Sequence, residues 1–124
     1  TPRVVLLLSQ FDPSTGTSEV SLAWQGATAA GQAVGTPLAG AAQATLSAVE
    51  ALGTRVPYDV TSVERASSDP RAPVVVVLSA RRAGASAVPD RRFGVAQGRD
   101  EVTAASRATL SALNRYLSLT ASAR

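Results

Sequence analysis

The chain has 124 residues, of which 45% are hydrophobic and 17% charged, as expected for one folded domain with a modest core. It contains no Cys and no His, which excludes disulfides, thiol catalysis, Ser–His and Cys–His nucleophile pairs and the usual zinc sites. All 12 basic residues are Arg, so the pI is about 10.6 although the net charge is only +3; nucleic-acid binding is permitted rather than required.

The composition also bears on source and location. Lys and Ile are absent and Ala is abundant, a bias typical of GC-rich genomes such as those of actinobacteria. No apolar run approaches the roughly 18 residues that a membrane-spanning helix needs, and Asp12-Pro13 interrupts the first run before it forms a signal-peptide core. We therefore expect a cytoplasmic protein without membrane contact. Because the chain begins with Thr1, we expect it to be an excised or trimmed portion of a longer protein.

Three strands are predicted in the first half of the chain. Residues 4–11 form a continuous apolar run. In residues 19–25 large apolar side chains alternate with small or polar ones, which is the period of a half-buried strand. Gln25-Gly26 suits a tight turn, and residues 27–35 follow as the third strand.

A helix is predicted directly after these strands. Thr36 is suited to cap it, with Pro37 in its first turn and Gly53 just past its end. Apolar residues recur at steps of three and four along one stripe, made of Leu38, Ala42, Leu46, Val49 and Leu52.

The second half repeats this order of elements. Strands are predicted over residues 58–66, 73–81 and 92–98, with turn or loop chemistry in residues 67–70 and 83–90. Asp100 is suited to cap a second helix, and Glu101 favours the positive end of its dipole. The stripe of this helix is made of Val102, Ser106, Leu110, Leu113 and Leu117.

Two signatures occur twice, in the same order. Gly-Gln-Ala-Val-Gly at residues 31–35 returns as Gly-Val-Ala-Gln-Gly at residues 94–98, and Ala-Thr-Leu-Ser-Ala occurs at residues 44–48 and again at 108–112. The spacings are 63 residues (31 to 94) and 64 residues (44 to 108). Two motifs that repeat in the same order at nearly the same spacing indicate a duplicated structural unit.

The duplication predicts an α+β fold of two tandem βββα units, residues 3–53 and 56–119, within one domain of residues 1–124. The sheet is expected to be antiparallel, with helices packed on one side. The runs 4–8 and 74–78 are apolar on both strand faces, so sheet surface is expected to remain uncovered and to be buried in a homodimer. The alternative is that the two units cover one another completely.

The second helix resembles the last helix of the C-terminal regulatory domain of 2-isopropylmalate synthase and citramalate synthase. The resemblance is carried by Val102, Ala105-Ser106 and Ala112-Leu113-Asn114-Arg115, and by the Gly-rich turn of residues 93–98 before them. It implies a domain of two βββα units, which agrees with the duplication.

The resemblance implies a function as well. Domains of this family are non-catalytic regulatory and dimerisation modules that bind a branched-chain amino acid between units near the dimer interface, with an acidic residue at the position of Glu101. No catalytic barrel accompanies the domain here, so synthase activity is not implied. The connector around residues 81–90 is longer than in the family, and a larger parent protein or a separate protein partner is expected.

Seven residues are candidates for contact with an amino-acid-like ligand: Gly31, Gly35, Gly94, Gly98, Glu101, Ala105 and Ser106. For the glycines the favoured interpretation is structural, since strand ends and helix starts need a bare backbone, and ligand contact is the alternative. For Ser106 the favoured interpretation is a hydroxyl bonded back to the preceding helical turn, and contact with a ligand or with the opposed unit is the alternative. We expect no enzymatic activity, no cofactor and no metal.

Five arginines cluster in and around one connector: Arg81, Arg82, Arg91, Arg92 and Arg99. Solvated loop charge is the favoured interpretation, and a phosphate or nucleic-acid patch is the alternative. Because Phe93 is the only aromatic residue nearby, nucleic acid is disfavoured as a partner. Three functions stay open: an effector-binding regulatory module, a ligand-free protein-interaction or assembly domain, and a weak Arg-mediated nucleic-acid binder.

Overall fold

The computed structural model describes residues 4–53, 56, 58–69, 71–80, 91–98 and 100–122. Its elements are β1 (Val5–Asp12), β2 (Thr17–Trp24), β3 (Ala27–Val34), α1 (Pro37–Ala51), β4 (Tyr58–Arg65), β5 (Val74–Ala80), β6 (Arg91–Ala96) and α2 (Glu101–Ser122). This is the predicted α+β fold of two βββα units. Below, unit one is β1 to α1 and unit two is β4 to α2. Each unit forms its own antiparallel sheet, in the orders β1-β2-β3 and β4-β5-β6.

The predicted turns and caps are confirmed. Gln25 and Gly26 both have positive φ, 51° and 81°, as in a tight hairpin turn that follows the strand twist. The Thr36 hydroxyl accepts a hydrogen bond from the Ala39 amide at 3.3 Å. The Asp100 carboxylate accepts one from the Thr103 amide at 2.7 Å. The strands begin and end within two residues of their predicted bounds, and the predicted connector 83–90 lies outside the described residues.

The two sheets share one register, including a β-bulge in the first strand of each. Leu6 pairs with Leu22 and Leu8 with Ser21, so Leu7 is the extra residue; in unit two Thr61 is the extra residue between two such pairs. The units match at offsets of 54 residues in the first strand (6 to 60), 56 in the second (22 to 78) and 63 in the third (31 to 94). The duplication therefore extends to strands whose sequences show no obvious repeat.

A close strand-to-helix contact explains both repeated signatures. A Cβ on Gly31 would overlap the backbone of α1 at Ala44 and Ala48, and a Cβ on Gly94 would overlap α2 at Ala108 and Ala112. Glycine on the strand and alanine on the helix let the two backbones approach. The threonine inside each pentapeptide donates its hydroxyl to the carbonyl four residues earlier, Thr45 to Ala41 at 2.7 Å and Thr109 to Ala105 at 2.8 Å.

The helices lie between the two sheets. α1 packs on β2 and β3 and also contacts α2 and β4, while α2 packs on β5 and β6 and also contacts β1. Along the middle of each helix only a narrow stripe is exposed, at Gln43 and Ser47 in α1 and at Arg107 and Ser111 in α2. A surface helix on one sheet would present a full polar face to solvent, so the middle turns of both helices are covered on most of their surface.

The middle of the predicted apolar stripe of α1 faces away from the sheet of unit one. Ala44 and Ala48 meet the helix's own strand, whereas Leu46 lies on the opposite side of α1 and is only 5% exposed. Trp24 is core, as expected, and is also 5% exposed. The second strand of each unit supplies the largest fully buried side chains of the sheets, among them Leu22 and Leu78.

The apolar runs do present side chains to both faces, as predicted. In β5, Val74 and Val76 are fully buried and Val75 and Val77 are half-buried on the outer face. Large hydrophobic side chains stay exposed at Val5, Leu7, Leu8, Val34, Phe93 and Val95.

Candidate ligand site between the two units

Four of the predicted ligand residues are buried in packing contacts. Gly31 and Gly94 form the strand-to-helix contacts described above. Ala105 and Ser106 are both completely buried in α2. A ligand would have to separate a helix from its sheet to reach either glycine.

The back-bond expected for Ser106 is wrong. Its hydroxyl is buried and has no hydrogen-bond partner among the described residues. Ser106 lies on the opposite side of α2 from Ala108, the residue that meets Gly94, and so faces unit one. Its counterpart in α1 is the buried Ala42, whose side chain has no polar atom.

The other three predicted residues lie at the starts of the helices. Gly35 precedes α1 with a φ of 153°, and Gly98 precedes α2 where a Cβ would come within 2.7 Å of the Ala104 amide nitrogen. Glu101 is the first residue of α2 and is exposed. The structure thus places Gly98 and Glu101 at the surface near one helix start.

A cavity of about 280 Å³ lies where the two helices begin. Both units contribute to its lining, which consists of Gln10, Phe11, Pro37, Asp100, Glu101 and Val102. No pattern in the sequence links Gln10 and Phe11 at the end of β1 with the start of α2, because these residues meet only through the packing of unit one on unit two.

The two helix starts differ in charge. α2 carries Asp100 and Glu101, whereas the first turn of α1 contains no acidic residue and opens with Thr36-Pro37. The N-terminal end of a helix, where backbone N–H groups have no partner within the helix, carries partial positive charge. At the start of α2 the two carboxylates offset this positive charge. At the start of α1 the first turn has no carboxylate, so the positive charge is not offset there. The cavity therefore has an acidic side and a weakly positive side, with Phe11 and Val102 as apolar lining.

A second cavity, of about 430 Å³, runs beside β1. It is lined by four consecutive residues of β1 and two of α2: Leu6, Leu7, Leu8, Ser9, Thr103 and Arg107. The hydroxyls of Ser9 and Thr103 are hydrogen-bonded at 2.9 Å, which ties the strand to the helix. Arg107 donates to the Gln97 carbonyl at 3.3 Å and supplies the charge of this cavity.

The described part of the arginine cluster does not form one patch. Arg91 and Arg92 are adjacent in β6 and point to opposite faces of the sheet. The Arg92 Nε donates to the Tyr58 hydroxyl at 3.0 Å, and its guanidinium lies 5.9 Å from the centre of that ring. Arg81, Arg82 and Arg99 lie outside the described residues.

Among the described residues, no group of three or more acidic side chains is placed to hold a metal ion. None of the helices in the described ranges combines the length and the apolar character needed to cross a membrane. No protein-family model matches the chain, and no curated protein matches it.

Proposed function

We propose that this chain is a non-catalytic regulatory and dimerisation module that binds a small amino-acid-like effector between its two units. The observation that supports the proposal is the cavity at the starts of both helices, which two separate units build together. A ligand held there bridges unit one and unit two, so its binding free energy depends on how the units are packed.

The lining suits the charges of an amino acid. An α-ammonium group would be attracted by the carboxylates of Asp100 and Glu101, and an α-carboxylate by the amide end of α1 near Pro37. An aliphatic side chain would contact Phe11 and Val102. This arrangement agrees with the effector implied by the family resemblance and includes Glu101, one of the residues predicted to bind it.

A thermal-shift panel tests the proposal. Leucine, isoleucine and valine are expected to raise the melting temperature, because a ligand at 100 times its Kd adds about 2.7 kcal/mol of stability. The matching 2-oxo acids lack the ammonium group and are expected to raise it less. A flat panel would contradict effector binding and would favour the ligand-free assembly domain.

Two glutamate variants locate the site. Glu101→Gln removes one carboxylate from the cavity and is expected to weaken the shift produced by the amino acids. Glu50→Gln is the matched control, since Glu50 is also an exposed helical glutamate but is not among the residues lining the cavity. Equal loss in both variants would show that the effect is general electrostatics rather than this site.

A further inference from the structure

The first strand of unit one is an unusual edge strand. β1 forms one edge of its sheet, and no other strand within the described ranges pairs with its outer side. Leu7 is 55% exposed, Leu8 44% and Val5 54%. A long apolar strand with an unpaired edge is a template for pairing with another strand, and soluble proteins normally protect such edges.

Unit two provides the comparison. The positions of β4 that correspond to Val5, Leu7 and Leu8 in β1 are Asp59, Thr61 and Ser62. Both strands carry the same bulge, so the backbone does not distinguish them. The fold therefore accommodates polar side chains at these positions, and the leucines of β1 are not required for it.

The 430 Å³ cavity described above forms a groove beside β1, and this groove and the strand itself carry opposite charges. Of the six residues that line the groove, Arg107 is the charged one. Of the eight residues of β1, the charged one is Asp12, at the end of the strand. When a strand pairs antiparallel with a copy of itself, the end of each strand is brought beside the beginning of the other. Such pairing would bring Asp12 of a second copy toward the groove that contains Arg107.

We propose that β1 pairs antiparallel with β1 of a second copy of this chain, so that two sheets join into one across a twofold axis. The leucines of each copy then cover the other, and each Arg107 faces the partner's Asp12. The proposal rests on the dimerisation part of the proposed function and specifies the surface that is used. A two-fold contact of this kind is closed, so it yields a dimer rather than a fibre.

The first test is the mass in solution, measured by light scattering over a range of concentrations. The wild-type chain is expected to be a dimer. Leu8→Lys should raise the dimer Kd about 100-fold, because an unpaired charge would be buried at the joint. Ser62→Lys is the matched control at the equivalent position of β4, and it should leave the dimer intact. A charge-reversal pair refines the test: Asp12→Arg or Arg107→Asp alone should weaken the dimer, and the double variant should restore it.

Cysteine cross-linking gives a second readout that does not depend on stability. The chain has no Cys, so a single introduced cysteine forms disulfides only between copies. Leu8→Cys is expected to cross-link under mild oxidation, and Ser62→Cys is not.

The outcomes distinguish pairing at β1 from the broader proposal that the chain dimerises. A dimer that survives Leu8→Lys and does not cross-link through Leu8→Cys overturns pairing at β1 but leaves dimerisation intact. A wild-type chain that stays monomeric overturns both. Effector binding is decided separately by the thermal-shift panel.

Discussion

The two units of this chain are alike inside and different at the surface. They share the strand register, the bulge, the glycine-to-helix contact and the threonine back-bond. They differ in the side chains of the first strand and in the residues that begin each helix. Shared features are those that the fold requires. The differences lie at the groove beside β1 and at the cavity where the helices begin, which are the two surfaces that the proposals concern.

The largest effects are expected where the units are alike. Gly94→Ala and Gly31→Ala should each lower the free energy of unfolding by about 3 kcal/mol or more, because the added Cβ would overlap the helix backbone and neither backbone yields easily. Urea unfolding of both variants measures the effect. Gln32→Ala, on the outer face of β3, is the control and should change stability little. If either glycine variant is as stable as the wild type, the strand-to-helix contact is not as close as described.

Removing a helix cap should lower the free energy of unfolding less than the glycine variants do, and the loss should differ between the two units. Thr36→Ala and Asp100→Ala each remove the acceptor for an amide in the first turn, and each is expected to cost about 1 kcal/mol. The loss should be greater for Asp100, whose negative charge also favours the helix dipole. Urea unfolding with Ser47→Ala and Ser111→Ala as exposed helical controls measures the difference. Equal losses would show that the charge of Asp100 adds nothing.

Ser106 in α2 and Ala42 in α1 occupy equivalent positions, and exchanging these two residue types tests how the buried Ser106 hydroxyl affects stability. Ser106→Ala removes a polar atom that has no described partner, so stability should be unchanged or rise by up to about 1 kcal/mol. Ala42→Ser introduces such an atom into unit one and should cost about 1–2 kcal/mol. A Ser106→Ala variant that is clearly destabilised would show that the hydroxyl makes an essential bond.

The smallest effect is expected in the turn after β1, where Asp12 and Ser14 make a pair of hydrogen bonds that unit two does not repeat among its described residues. Asp12 accepts hydrogen bonds from the Ser14 hydroxyl at 2.6 Å and the Ser14 amide at 2.9 Å, and these lower the pKa of its carboxyl. A lowered pKa means that the contribution of Asp12 to stability is present above its unfolded-state pKa and is lost as pH falls through the folded-state pKa.

Ser14→Ala should raise the pKa of Asp12 toward its ordinary value, as followed by NMR titration of the carboxyl carbon. Ser67→Ala is the control, because Ser67 serves the connection between β4 and β5 by accepting from the Asp69 amide. A pKa of Asp12 that does not move in Ser14→Ala would show that the hydroxyl bond is not the main cause of the shift.

The fold was accessible from the sequence because its strongest constraints are local. The Gly31 and Ala44 contact allows almost no other side chains, so the third strand and the helix keep a visible repeat. The first two strands need only an apolar inner face, and their offsets differ from those of the third strand and helix. Their equivalence, and the paired bulges at Leu7 and Thr61, therefore became visible only in the structure.

The candidate site was only partly predictable. Gly98 and Glu101 became candidates through the Gly-rich turn and the acidic position of the family resemblance, and both lie at the surface where α2 begins. Phe11 and Gln10 were missed, because they reach the cavity through contacts between units that are distant in sequence. The Ser106 hydroxyl does not make the back-bond that the sequence favoured. Its position on the side of α2 away from Ala108 agrees with the alternative of contact with the opposed unit.

A titration of the isotope-labelled chain with leucine, followed amide by amide by NMR, tests the central claim most directly. If the units build an effector site between them, saturable shifts should appear at Phe11, Glu101 and Val102, which belong to different units but line one cavity. No shift at any of these amides, or saturable shifts confined to residues far from the helix starts, would contradict effector binding between the two units.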